Sequence, residues 1–346
     1  MFDFFLEFLF HKMFIKLINL KKEELVLETN KVLNKKLYEV RDKNEPHIVT
    51  HLAKNIAELN HCWLSILNDD KNNTYKYISK LIMRHTEITV SSVFVHQRPY
   101  LKFNNGKDHQ CEIGDILFLH LLGNQWGSQQ MQSILFQAKK VKSNTHYLVN
   151  DELTQLYLYE KWPPFNWKYP KAYKTDGAYR NILPKESHEG GRYLMINTSE
   201  NKFMTSSAKK QLEAEKSLGL EIIELLNFMS GKKVHRKDED DKVNNVDNDW
   251  SKVIKEIYRI GVSKPAKLKS YGKPPVPRDE VVGNKMALED FMSFLNYDEF
   301  VKQIFSRDAS INSEIPVPEI LDGRVIPVIL IRTRFSKVRR KNFVKK

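Results

Sequence analysis

Two near-continuous apolar runs stand close together in this chain, EIGDILFLHLL at residues 112–122 and QSILFQAKKV at residues 132–141. Runs rich in Ile, Leu and Phe at this length suit strands covered on both faces. The segment between them, GNQWGSQQ, carries the Asn, Gly and Ser that turn a chain. The pair therefore reads as a hairpin within a sheet. Each run also holds polar side chains that a buried strand has to account for: Asp115 near the start of the first, Gln137 and Lys139 near the end of the second.

Residues two apart on a strand share a face, so Gln137 and Lys139 point the same way. Opposed residues in an antiparallel hairpin have numbers with a constant sum, and a turn centred on Trp126 or Gly127 sets that sum at about 252–254. Asp115 then lies opposite residues 137–139. A carboxylate, an amide and an ammonium brought together among Ile116, Leu117, Phe118, Ile134, Leu135 and Phe136 cost several kcal/mol if left unpaired. A divalent cation supplies a partner. Carboxylate and carbonyl oxygens suit Mg²⁺ or Mn²⁺, which keep several waters, one of which can attack phosphorus. Lys139 would position or deprotonate that water and offset charge on the phosphate. The alternative is a surface hairpin whose Gln137 and Lys139 are solvated.

The pattern of Asp115 followed by Gln137-Ala-Lys139 across consecutive strands, then a helix and a further strand, resembles the PD-(D/E)XK superfamily of restriction-endonuclease-like nucleases. The resemblance covers roughly residues 46–198. It implies that Asp115 is the metal-binding acid, Gln137 the second motif position and Lys139 the catalytic lysine. Gln137 departs from the commonest pattern, which has Asp or Glu there, and offers a neutral carbonyl in place of a charge. The resemblance further implies an Mg²⁺-dependent DNA endonuclease of bacterial defence against phage or plasmid DNA, acting with other subunits or as a homo-oligomer. A non-catalytic subunit that keeps the nuclease fold and binds nucleic acid is the alternative.

Other residues are candidates for the same site. Glu112 lies three positions before Asp115 and reaches its face only if Gly114 permits a bulge. Glu58, on the helix before the sheet, is a further candidate metal ligand, and Gln155 on the following helix a candidate cleft residue; both also read as ordinary helix-surface groups. His47, His51 and Cys62 lack a fourth ligand of suitable spacing for zinc. No phosphate-binding GxxxxGK[ST] loop, GxSxG elbow or GxGxxG turn occurs, so ATPase, serine-hydrolase and dinucleotide readings lack their anchors.

Charge agrees with a polyanionic partner. Lys and Arg number 56 against 43 acids, a net charge of +13, which draws nucleic acid to the surface. The C-terminal stretch IRTRFSKVRRKNFVKK has no acid, and Arg332, Arg334, Arg339, Arg340 and Lys341, with Lys140 beside the motif, are candidate phosphate contacts. A second basic stretch, Lys264 to Lys273, reads as a loop. Only Cys62 and Cys111 are present, without CxxC spacing, which fits a reducing cytoplasm and no disulfide framework.

The remaining chain frames this centre. The N-terminal MFDFFLEFLFHKMFIKLINL places Asp3, Glu7 and His11 on one helical face and Phe2, Leu6, Leu9, Met13, Leu17 and Leu20 on the other. It reads as an amphipathic helix that packs on this protein, a partner or a membrane surface. It is too charged to span a bilayer. Helix is expected over 21–43, from Pro46 to Leu67, over 74–85, 153–162, 207–229, 250–261 and 287–295. Strands are expected at 88–97, 99–103, 190–198 and 325–335. The expected fold is α/β, a central mixed sheet flanked by helices in a restriction-endonuclease-like core. Three regions are expected: an N-terminal helical region 1–45, the nuclease-like core 46–200, and a helical C-terminal region 201–346 with a basic tail.

Overall fold

The structure is a computed structural model that describes residues 2–69, 76–95, 100–124, 129–150, 152–168, 178–235, 249–262, 281–282 and 326–335. Five helices come first: α1 (Phe2–Leu20), α2 (Lys22–Val40), α3 (Glu45–Asn55), α4 (Glu58–Asn68) and α5 (Lys76–His85). Strands follow as β1 (Thr86–Val95), β2 (Tyr100–Asn104), β3 (Asp108–Glu112), β4 (Ile116–Asn124), β5 (Gln129–Val141) and β6 (Thr145–Tyr147). Next come α6 (Glu152–Lys161), β7 (Phe165–Trp167), β8 (Tyr179–Arg180), β9 (Gly191–Asn197), β10 (Lys202–Ser206), β11 (Gln211–Glu213) and β12 (Lys216–Ser217). The described chain ends with α7 (Leu218–Leu226), β13 (Lys232–Val234), α8 (Trp250–Val262), β14 (Val281–Val282) and β15 (Ile326–Phe335).

The large sheet among the described residues is mixed and runs β12-β10-β9-β5-β4-β15-β1-β14, with β13 paired to β5 as well. β4 and β5 form the expected antiparallel pair, β9 lies parallel to β5, and β15 lies parallel to β4. Strand alternation sends Ile116, Phe118, Ile134, Phe136, Ile329 and Ile331 to one face, where α1 to α5 and α7 cover them. The other face, with Leu117, Leu119, Leu135, Tyr193 and Leu330, packs on α6, α8 and a four-stranded sheet of order β3-β2-β7-β8. Asp115, Gln137 and Lys139 belong to this second face by the same alternation.

Four expectations change. The run EIGDILFLHLL is not one strand: β3 ends at Glu112 in the small sheet, and β4 begins at Ile116 in the large one. The helix expected from Pro46 to Leu67 divides at Ile56–Ala57 into α3 and α4, and both halves turn apolar side chains into the same core. Residues 207–217 are not helix. They contribute the short strands β11 and β12, and the helix starts where the Ser217 hydroxyl accepts from the Leu220 amide at 3.2 Å. Finally, the expected helical C-terminal region also supplies a strand of the large sheet, β15, which sits between β4 and β1. An Ile/Leu-rich strand covered on both faces gains most from that position.

The N-terminal helix packs on its own chain: Phe14, Leu17 and Ile18 of α1 are buried. No helix among the described residues is long and apolar enough to cross a membrane. Cys62 and Cys111 are both free thiols. The expected helix at 287–295, the basic stretch 264–273 and the tail beyond Phe335 lie outside the described residues.

Candidate active site

The β4/β5 register pairs Ile116 with Phe136, a constant sum of 252, and the Asp115 amide extends the ladder by donating to the Phe136 carbonyl at 2.8 Å. Asp115 is thereby set beside Gln137. One oxygen of its carboxylate, Oδ2, accepts from the Gln137 side-chain Nε2 and from the Ala138 amide at 2.8 Å. The residue before it makes this placement possible. A Cβ at Gly114 would lie 2.7 Å from the Tyr159 hydroxyl oxygen and 2.8 Å from the Leu135 side chain. Glycine admits α6 this close, and the Tyr159 hydroxyl then donates to the Ile113 carbonyl at 2.8 Å, holding the bend that aims Asp115.

Lys139 is two residues beyond Gln137 on the same face, and its Nζ lies 3.2 Å from Glu152 Oε1 at the start of α6. The second Glu152 oxygen accepts from the Val149 amide at 3.0 Å. Burial would raise this carboxyl, but the Val149 amide and Lys139 outweigh it and hold Glu152 below its ordinary value. A further acid arrives from the other side of the molecule. Asn44 caps α3 by accepting from the His47 amide at 3.1 Å, which fixes Glu45 in the first turn, and Glu45 Oε2 accepts from the Lys140 amide at 2.7 Å.

The acids act on one another. Burial pushes the Asp115 carboxyl up to about 7, with Glu45 and Glu112 adding to the rise and the Ala138 amide and Lys139 opposing it. Burial likewise raises Glu45, with Glu152 and Glu112 contributing and Lys139 and the Lys140 amide pulling the other way. Burial thus holds Asp115 and Glu45 above their ordinary values, while Glu152, paired with Lys139, is held below its own.

The donor set can be tested against a hard cation. The Gln137 side chain is 3% exposed, and its carbonyl oxygen has no hydrogen-bond partner among the described residues. An unpartnered buried carbonyl next to a carboxylate of raised pKa is what an Mg²⁺-type ion would satisfy. Asp115 and Gln137 would serve as ligands once the Gln137 amide turns to present its oxygen beside Asp115, with Glu45 the next acid whose charge acts there. Among the described residues no three His, Cys, Asp or Glu side chains are gathered to hold a metal by themselves, so the Gln137 carbonyl and waters are needed to complete the set.

The other sequence candidates separate. Glu112 ends β3, half-buried, and accepts from the Tyr100 hydroxyl at 3.1 Å; it acts on Asp115 through its charge. Glu58 is exposed and paired with Lys36 at 2.7 Å, and it is absent from the charges that act on Asp115. Gln155 is half-exposed on α6. His51 bonds Glu39 at 3.0 Å. Lys140 is exposed, and its Nζ donates to the Lys43 carbonyl at 2.8 Å, bracing the turn before α3. Arg332 is corrected: it is 1% exposed within β15, 3.5 Å from Glu87, and so is not a surface phosphate contact. Its neighbour Arg334 is half-buried, while Arg339, Arg340 and Lys341 lie outside the described residues.

Glu45 and Glu152 escaped the sequence reading. Each sits in the first turn of a helix, Glu45 directly before the helix-starting Pro46, and acids are common there for reasons unrelated to catalysis. Only the approach of α3 and α6 to the end of β5 singles them out. No protein-family model, curated protein or solved structure matches this chain.

Proposed function

We propose that the chain is a metal-dependent nuclease that hydrolyses phosphodiester bonds in DNA at Asp115, Gln137 and Lys139, with Glu45 as an added acid. One observation carries the reading: Asp115 and Gln137 are in contact from adjacent strands, with Lys139 on the same face, amid carboxylates that one lysine does not neutralise. Mg²⁺ or Mn²⁺, when bound, would lower the pKa of a water and withdraw charge from the phosphate.

The chain's own groups do the rest. Asp115, Gln137 and Glu45 present oxygens at the rim of the sheet. Glu152 keeps the Lys139 ammonium on that face, where it offsets charge building on phosphorus. The water oxygen bonds to phosphorus as the opposite P–O ester bond breaks. The water gives a proton to solvent, and the leaving oxygen takes one up from solvent. The net charge of +13 supports a polyanionic substrate. A role in bacterial defence, cytoplasmic and alongside other subunits or a second copy, rests on the resemblance of the Asp115 and Gln137-Ala-Lys139 pattern alone.

A second reading has an observation of its own. The Gln137 amide turns its nitrogen toward Asp115, and Lys139 is already paired with Glu152. That arrangement also serves a nucleic-acid-binding subunit without catalysis. A plasmid-cleavage assay in Mg²⁺ or Mn²⁺ decides between them. Wild type is expected to cut, and Asp115→Ala and Lys139→Ala to lose roughly 100-fold or more. Cutting unchanged in both variants sinks the site, and binding without cutting favours the second reading.

A further inference from the structure

β9 runs parallel to β5 and places Tyr193 in register with Gln137. In-register side chains on neighbouring strands share a face, so the phenol stands directly beside the Asp115–Gln137 contact. Tyr193 is fully buried, with its ring 5.8 Å from that of Tyr159. Burial raises the phenol above its ordinary value, and Glu152, Cys111 and Asp115 add to the rise, which places the hydroxyl within reach of the site's charges.

The two tyrosines differ in one respect. The Tyr159 hydroxyl donates to the Ile113 carbonyl, whereas the buried Tyr193 hydroxyl has no hydrogen-bond partner among the described residues. A buried hydroxyl without a partner costs stability that a phenylalanine of the same shape avoids. Among the described residues no group uses this oxygen. On the nuclease reading, a water held by an ion at Asp115 and Gln137 would lie next to this strand position.

We propose that Tyr193 is a positioning residue that accepts a hydrogen from the attacking water and so turns the water's lone pair toward phosphorus. The inference rests on the nuclease reading above. Holding the nucleophile in line is worth one to two orders of magnitude in rate when a single contact is lost.

The test compares wild type, Tyr193→Phe and Asp115→Asn on a labelled DNA duplex in Mg²⁺, with binding followed by anisotropy in Ca²⁺ and thermal unfolding alongside. For Tyr193→Phe the expected result is a kcat roughly 10- to 100-fold lower, KM and Ca²⁺ affinity within about twofold, and an unfolding temperature unchanged or raised. A kcat within about twofold of wild type, while Asp115→Asn is inactive, overturns the role of Tyr193 and leaves the nuclease reading standing. A loss confined to affinity, or one that tracks a lowered unfolding temperature, also overturns it. Absence of cleavage by wild type removes the nuclease reading and this inference together.

Discussion

At the scale of single residues, Asp115 carries the most information, because its carboxyl is held at about 7 against an ordinary value of 3.8. A raised carboxyl pKa means that the folded state binds the proton more tightly than the unfolded state. In the metal-free protein this group therefore weakens the fold as pH rises from about 4 to about 7, and the loss levels off above that. Asp115→Asn removes the term. Urea unfolding from pH 4 to 8 is expected to show wild type losing stability relative to the variant across that window, with Mg²⁺ at pH 8 restoring wild type only. Parallel pH curves for the two proteins would contradict the assignment. Arg332 makes the opposite point: the sequence places it in a basic stretch, and the structure places it in the sheet interior. Arg332→Ala is expected to cost about 2–4 kcal/mol through lost packing and to leave the salt dependence of DNA binding unchanged. A surface phosphate contact would instead reduce the salt slope by about one.

At the scale of elements, the site depends on a bend and two helix starts. Gly114 ends the run that began in the small sheet and lets α6 approach the first residue of the β4 ladder. Gly114→Ala would drive a methyl into the Tyr159 hydroxyl and Leu135. The expected cost is about 1–3 kcal/mol, read by thermal unfolding, together with, on the proposed nuclease reading, loss of cleavage as Asp115 shifts from Gln137. Full activity and stability in this variant would show that the bend does not set the site. The hairpin was legible from sequence, since apolar runs around a turn fix a register and Asp115 must then meet Gln137. The break within EIGDILFLHLL was not. An apolar run looks the same whether it stays in one sheet or crosses to another, and the choice belongs to the elements packed against it. The same holds for residues 207–217, where helix-forming composition yielded to pairing with β10 and β6.

At the scale of the whole molecule, long-range pairing builds both the core and the candidate site. β15 joins the sheet beside β4 from 211 positions further along the chain, Val328 pairing with Leu117. α3 and α6 bring Glu45 and Glu152 to the end of β5 from opposite faces. These placements carry no local signature, because a first-turn glutamate reads alike at a surface helix and at a catalytic one. Sequence by itself determined the mixed α/β character, the β4/β5 hairpin with its register, and the contact of Asp115 with Gln137, Lys139 sharing their face. Each follows from side-chain periodicity and turn chemistry over a short span of chain. Tertiary structure alone decided which further acids join that cluster, that Arg332 is interior, and that Tyr193 lies beside Gln137 with its hydroxyl unpartnered. Those depend on which distant segments share a face, a choice made by burial of the whole apolar surface together.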